Sequence, residues 1–262
     1  MNDASIKDKV IVLTGSSGKL GQQYTDFLLR EGAIVCGLDL ENSFETLSDK
    51  KNFFFFKTNI TQKNSIKETC NEIIKSFGKI DVLINNAGID SPPNSTDATV
   101  SFEDLKEEIW DQTLDVNLKG IFLCCQIIGS EMSKQNYGSI INISSIYGMV
   151  SPDQSLYEYK RSQGNVFYKP ITYAVSKGGI YNLTRYLAIY WAKSNVRVNT
   201  LTISGVFDNQ EADFVEAYEK RIPIGRMAKP QDYFGAIKFL SSDSSRYMIG
   251  SNLVIDGGWT AI

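Results

Sequence analysis

Tyr173 and Lys177 stand four residues apart in the run Tyr173-Ala174-Val175-Ser176-Lys177. On a helix that spacing puts the phenol and the ammonium on one face. A free tyrosine has a pKa of about 10 and is a poor base near neutral pH. A neighbouring cation favours the phenolate and lowers that value. Such a pair can accept or return a proton at a carbinol or carbonyl oxygen, although an ordinary surface Tyr–Lys pair has the same spacing. The 262 residues include no histidine. That removes Ser-His-Asp and Cys-His catalysis, histidine zinc sites and any imidazole base. A proton must move through Tyr, Lys, Asp, Glu or Cys.

A second constellation lies near the start, in Val10-Ile11-Val12-Leu13-Thr14-Gly15-Ser16-Ser17-Gly18-Lys19-Leu20-Gly21. The apolar run reads as a strand buried on both faces. Glycines follow, and then a helical pattern through Tyr24, Phe27 and Leu28. Strand, glycine turn and helix N-terminus form a phosphate cradle, because backbone N–H groups and the helix dipole face a closely approaching anion. The next apolar run, Ala33 to Leu38, ends in Asp39, 18 residues past Gly21. An acid there is placed for the ribose hydroxyls of an adenosine.

These groups need elements to hold them. Apolar runs alternate with amphipathic stretches along the whole chain. Strands are expected at Phe53–Phe56, Ile80–Ile84, Ser139–Ile143, Val196–Leu201 and Leu253–Ile255. Helical patterns fall at about Asn64–Phe77, Phe102–Lys134, Thr172–Lys193 and Gln231–Leu240, and a polar loop at Ile89–Ser101. This alternation predicts an α/β fold: one doubly wound parallel sheet of about seven strands, helices on both faces, over residues 1–262. Ligands of such sheets bind beyond the strand carboxyl ends. The glycine turn, Asp39, Asn85–Gly88 and Ser144-Ser145 all fall there.

Bulk properties agree. Apolar content of 42% and charged content of 22% are ordinary for a globular protein. A net charge of −3 gives no nucleic-acid footprint. No apolar run approaches a membrane span, and the first residues lack the pattern of a signal peptide, so a cytoplasmic protein is expected. Cys36, Cys70, Cys124 and Cys125 lack metal-ligand spacing and read as reduced core thiols. No metal site is expected.

The ordered set of motifs resembles the short-chain dehydrogenase/reductase family over essentially the whole length. The matching pieces are Thr14-Gly15…Gly21, Asp39, Asn85-Asn86-Ala87-Gly88, Asn117 within Asp115–Gly120, Ser145 within Asn142–Gly148, Tyr173…Lys177, Arg197-Val198-Asn199 and Asp256-Gly257-Gly258. The resemblance implies an NAD(P)-dependent Rossmann-fold oxidoreductase with an Asn117, Ser145, Tyr173, Lys177 tetrad. Tyr173 is then the acid/base. Lys177 binds the nicotinamide ribose and depresses the tyrosine pKa, Ser145 bonds the substrate oxygen, and Asn117 holds a relay water. Ser145 is preferred to Ser144 because the family serine stands three residues before the glycine, here Gly148. Gly15, Ser17, Gly18, Lys19, Leu20, Gly21, Asp39, Asn59, Ile60, Asn86, Ala87, Gly88, Tyr173, Lys177 and the Val206 backbone line the cofactor. Asp39 favours NAD, since a carboxylate repels the extra phosphate of NADP. Relatives assemble as homotetramers, so a homotetramer or homodimer is expected, through helices around Asn117–Lys134 and Tyr173–Lys193. Tyr181, Tyr186, Tyr190 and Trp191 would serve that interface or equally the core.

The family pattern is broken in places. Lys19 occupies a glycine position of the turn and should point toward phosphate or solvent. Asn59 stands where an aspartate is common, with an amide oxygen still able to accept from the adenine amine. Ile203-Ser204 replaces Pro-Gly over the nicotinamide. Ser145 and Tyr173 are also farther apart than in the family. The extra residues, about 151–170, leave beside the serine and return at the tyrosine, so they must border the substrate. They carry Tyr157, Tyr159, Lys160, Arg161, Tyr168 and Lys169, which suit stacking and hydrogen bonding to a sugar, or pairing with a phosphate. Residues 205–228 are expected to form a substrate lid, with Phe207, Phe214 and Tyr218 closing over it. Together with this loop, the segments Gly205–Gln210 and Gly225–Ala228 resemble a branch associated with bacterial surface-carbohydrate and flagellin modification. The expected activity is secondary alcohol–ketone interconversion on a small sugar or sugar-phosphate type molecule. The alternatives are a 3-oxoacyl-thioester reductase and a non-catalytic dinucleotide-binding protein.

Overall fold

The computed structural model describes residues 3–43, 51–90 and 100–262. Seven parallel strands form one sheet in the order β3-β2-β1-β4-β5-β6-β7: β1 Val10–Thr14, β2 Ile34–Asp39, β3 Phe53–Lys57, β4 Val82–Asn85, β5 Gly138–Ser145, β6 Val196–Ile203 and β7 Asn252–Ile255. The direction of winding reverses between β1 and β4, so their carboxyl ends open a crevice at the switch point. Residues Val10–Thr14, Val82–Asn85 and Gly138–Ser145 are buried throughout, which is why these stretches read as continuous rather than alternating apolar runs.

Two apolar layers cover the sheet. On one face Val12, Leu83, Ile140 and Val198 pack with Ile66, Ile73, Ile128 and Trp191. On the other, Ile11, Leu13, Ile84 and Ile143 pack with Tyr24, Leu28, Tyr233 and Ile237. The four cysteines are buried and unpaired. Asn85 donates to the Asn142 amide oxygen at 2.8 Å, and Asn142 to Thr184 Oγ1 at 2.9 Å. Thr200 donates to the same Thr184 oxygen at 2.9 Å. This buried polar chain fixes β4, β5 and β6 against the long helix Ile171–Trp191 that carries Tyr173 and Lys177.

Three expected elements differ. The helix expected over Phe102–Lys134 begins with a separate 3₁₀ turn, Phe102–Asp104. It then runs from Glu107 to Lys134 with π turns at Asp115–Lys119 and Cys125–Gly129. The closing helix is Phe234–Ser241, entered by a 3₁₀ turn at Pro230–Tyr233, since proline starts a helix but cannot sit inside one. The segment 151–170, expected as a loop, contains the 3₁₀ turn Gln154–Tyr157 and the short helix Glu158–Ser162. Most of the loop expected at Ile89–Ser101 lies outside the described residues.

Candidate active site

The first half of the crevice is built from backbone. Gly15 has φ +65°, and a Cβ there would lie 2.7 Å from Ala87 Cα. A Cβ on Gly21 would fall 2.0 Å from the Gly15 carbonyl oxygen. Side chains at these two positions would therefore fill the cradle or break it. Gly18 caps the helix Lys19–Arg30 without a side-chain hydrogen bond, leaving first-turn N–H groups for an anion. Asp39 ends β2 and accepts from Ser17 N at 2.9 Å and Leu40 N at 2.8 Å, which turns its carboxylate toward the glycine turn. A cavity of about 670 Å³ follows, lined by Gly15, Ser17, Gly18, Lys19, Leu20, Gly21, Asp39, Asn59, Ile60, Asn86, Ala87 and Gly88. The shape and donors fit a dinucleotide: an anion cradle at one end, and an acid for hydroxyls at the other.

One expectation for this half is corrected, that for Asn59. Lys19 stands largely in solvent, as expected, with its ammonium paired to Asp208 beyond β6. The Asn59 amide oxygen accepts from both N–H and Oγ1 of Thr61, at 3.0 and 2.8 Å. Both its lone pairs are engaged, so this side chain can offer an adenine only its N–H donors. Asn86 acts mainly as a clip, donating to the Thr14 and Gly15 carbonyls at 3.1 and 3.2 Å.

The second half gathers side chains. Alternation along β5 sends Ser144 and Ser145 opposite ways. Ser144 donates to the Lys177 carbonyl at 3.0 Å, while Ser145 lines a second cavity of about 440 Å³ with Tyr173. A Cβ on Gly148 would lie 2.7 Å from the Lys177 carbonyl carbon, so glycine lets the turn after β5 press on the long helix. Lys177 donates to the Ile143 carbonyl at 3.1 Å, with its nitrogen 5.8 Å from the Tyr173 ring centroid. Tyr181, one turn further, donates within reach of the Ser145 carbonyl at 3.1 Å and of Thr202 at 2.9 Å. Tyr181 thus steadies the serine, whereas Tyr186 and Tyr190 stack on the exposed face and Trp191 packs inside against Gly129. Asn117, buried in the first π turn, accepts from Ile89 N at 2.8 Å and donates to Ile89 O at 2.9 Å and Ser176 Oγ at 3.1 Å. A Cβ on Gly88 would come 3.2 Å from Asn117 Oδ1 and 3.4 Å from Lys177 Nζ. Ser145 and Tyr173 therefore line the second cavity, while the buried Lys177 and Asn117 lie against Gly88, which lines the first.

The electrostatics differ from the simple expectation that Lys177 depresses the tyrosine. Burial first, and Asp90 second, hold the Tyr173 phenol above its ordinary value, while the Ser145 hydroxyl pulls the other way. Burial lowers Lys177 to about 8, opposed by Asp90. Desolvation penalises the charged form of each group, so it raises the phenol and lowers the ammonium.

The segment 151–170 and residues 205–228 close this half. Tyr157 packs at a tilt on Phe167 at 4.6 Å and stacks on Phe214 at 5.5 Å, and Tyr218 stacks on Trp259 at 4.5 Å. Phe214 and Tyr218 are thus packed inside this aromatic core, and Phe207 is the exposed one of the three. Glu211 accepts from Tyr159 at 2.6 Å and Lys160 at 2.8 Å. Arg161 donates to the carbonyls of Phe167 and Gln154. Tyr159, Lys160 and Arg161, expected to be open to a substrate, are engaged within these walls; Tyr157 and Lys169 line the cavity. Ser204 N and Gly205 N donate to the phenols of Tyr233 and Tyr218, at 3.2 and 2.7 Å, which fix the loop despite Ile203-Ser204. Val206 lines the same cavity, its carbonyl held by Gln210 at 2.8 Å. Asp90, whose signal is only its place directly after Asn-Ala-Gly-Ile, was not anticipated. No cluster of His, Cys, Asp and Glu able to hold a metal occurs among the described residues.

A doubly wound sheet whose switch-point crevice joins an anion cradle to a tyrosine and a lysine defines a dinucleotide-binding oxidoreductase scaffold. Comparison with known proteins agrees. The family model described as enoyl-(acyl carrier protein) reductase matches residues 17–260. A NAD-dependent glycerol dehydrogenase of Listeria innocua is 32% identical over 98% of this chain and 96% of its own length. A 3-oxoacyl-[acyl-carrier-protein] reductase of Thermotoga maritima is 33% identical, covering 97% and 98%. Post-translational flagellin modification protein A of Campylobacter coli is 30% identical, covering 97% and 99%. A short-chain dehydrogenase of Leptospira borgpetersenii, solved with bound NAD+, superposes with a TM-score of 0.87 at 35% identity, covering 99% and 96%. The chain belongs to the short-chain dehydrogenase/reductase family. It is an oxidoreductase acting on CH–OH groups and their ketones.

Proposed function

We propose that this chain is an NAD-dependent dehydrogenase of secondary alcohols on small sugar-type molecules. The observation that carries the reading is that Ser145 and Tyr173 line one cavity while Lys177, beside the Tyr173 ring, lies against Gly88 in the wall of the other. NAD, when bound, supplies the hydride acceptor. Ser145 donates to the substrate oxygen and orients it. Tyr173 takes the hydroxyl proton during oxidation and returns it during reduction. Lys177 holds the nicotinamide ribose, and its charge favours the phenolate. Asn117 has its amide N–H groups engaged, so its part is to hold Ile89, the residue after the Gly88 that Lys177 approaches, and Ser176 on the long helix.

NAD rather than NADP is favoured by charge. Asp39 and Glu41 both line the adenosine end, and Lys19, the basic residue near it, is turned to Asp208. A 2′-phosphate would face two carboxylates, and Lys19, the one cation among the described lining residues, is already paired with Asp208. The glycerol dehydrogenase relative supports a polyol substrate. The flagellin-modification relative supports a place in surface-glycan synthesis. The Thermotoga relative favours a second reading, reduction of a 3-oxoacyl thioester. We further propose that residues 205–228 act as a lid, and that the exposed Tyr186, Ile189 and Tyr190 join copies of the chain into a homotetramer or homodimer. Four buried unpaired thiols suit the cytoplasm. No helix among the described residues is long and apolar enough to cross a membrane.

The test is a paired assay. NADH formation is followed with polyols and sugar phosphates, and NADH or NADPH consumption with an acetoacetyl thioester. Tyr173→Phe should lower turnover by about 10³-fold while leaving NADH binding unchanged. Unchanged turnover in that variant would refute the assignment.

A further inference from the structure

The cavity beside Tyr173 contains an ion pair that the acid/base step does not use. Lys169, the penultimate residue of the added segment, has a side chain only 4% exposed, and its ammonium is paired with the Asp90 carboxylate, which is 48% exposed. The same ammonium lies 5.1 Å from the Tyr173 ring centroid. Its backbone is locked from both sides: Lys169 N donates to Gln154 Oε1, and Gln154 Nε2 donates to Lys169 O, each at 2.9 Å. A buried lysine is costly to place, and here one segment is folded back on itself so as to present it next to the reacting position.

Two kinds of ligand could meet such a group, an anion or a hydroxyl. The charges of the cavity decide between them. Its charged lining residues are Lys19 and Lys169 against Asp90, Asp208 and Glu211, so the wall is acidic on balance. Lys19 is paired with Asp208, and Glu211 is held by Lys160 and Tyr159. A phosphate or carboxylate would meet one ammonium that already carries a carboxylate, and would be repelled by that carboxylate. A neutral diol meets the pair on better terms: one hydroxyl oxygen accepts from Lys169 while a hydroxyl hydrogen is donated to Asp90. The buried Tyr147 lines the same cavity.

We infer that Lys169 and Asp90 form a specificity fork that binds a second hydroxyl of an uncharged polyol whose carbinol is oxidised at Tyr173. This rests on the dehydrogenase reading and sharpens it, because it rejects the phosphorylated substrate class.

The test uses the full-length enzyme with NAD and three alcohols: erythritol, butan-2-ol, and glycerol 3-phosphate. Butan-2-ol has a secondary carbinol and no second hydroxyl; glycerol 3-phosphate adds the anion. The wild type should favour erythritol over both others by about tenfold or more in kcat/KM, a modest demand on a site built for a hydroxyl. Lys169→Met should raise the erythritol KM by about tenfold, with kcat/KM for butan-2-ol and KM for NAD within about twofold. Asp90→Asn, on the more exposed partner, should raise the erythritol KM and improve use of glycerol 3-phosphate; it decides the matter alone if Lys169→Met does not fold. Equal loss on erythritol and butan-2-ol in both variants would make the pair merely structural. A wild type that prefers glycerol 3-phosphate or butan-2-ol overturns the fork and leaves the dehydrogenase intact. No NADH from any alcohol, and no oxidation of NADH by any ketone, overturns both.

Discussion

The cavity under Asp39 is walled chiefly by main chain, whereas the cavity over Tyr173 is walled by side chains from segments far apart in sequence. On the first side the decisive groups are Gly15, Gly18, Gly21 and Gly88, where the absence of a Cβ makes the space. On the second side Tyr147, Tyr157, Phe214, Tyr218 and Met227 form an aromatic core of their own, separate from both faces of the sheet. A backbone cradle can bind the same dinucleotide whatever is being oxidised. A side-chain wall can be rebuilt without disturbing the sheet, and here Tyr157 and Lys169 of residues 151–170 supply part of it.

If the division is real, substitutions on the two sides must fail differently. The largest effect is expected for Gly21→Ala, whose Cβ would collide with the Gly15 carbonyl: NADH binding, read by fluorescence titration, should weaken by about 100-fold or more, irrespective of the alcohol. Ser145→Ala comes next, with turnover down by about 10²-fold and NADH affinity unchanged. Asp39→Ser should lower the ratio of kcat/KM for NAD over NADP by about tenfold without altering the order of alcohol preference. A changed alcohol order in that variant would break the comparison. The smallest is a shift in the pH profile. Asp90 raises the Tyr173 pKa, so Asp90→Asn should move the ascending limb of alcohol oxidation to lower pH. A shift to higher pH would mean that Asp90 does not face the phenol.

The contrast also explains what could be read from the chain. Gly15, Gly21 and Asp39 answer to local chemistry: a turn, a close approach and a strand end lie within a short stretch, and their spacing states the ligand. Tyr173 and Lys177 are one helical turn apart, which spacing also states. The Lys169–Asp90 pair spans 79 residues, and nothing in either local sequence announces the other. Tyr181 looked like any aromatic on a long helix, since periodicity gives a face but not which neighbour that face meets. The π turns are a backbone register change and leave no side-chain pattern. Asn59 was a local miss: in Asn59-Ile60-Thr61 the asparagine closes on the threonine two residues later, as short polar side chains commonly do.

The bridge between Lys19 and Asp208 has one more implication. Both side chains are largely open to water, 81% and 41% exposed, so the contact adds little to folding. What it changes is the arithmetic of electrolyte. An incoming pyrophosphate must bid against Asp208 for the sole ammonium on the turn, while main-chain amides receive it without a rival. Dinucleotide affinity should therefore vary only shallowly with ionic strength, a signature that a lysine-led phosphate grip does not share.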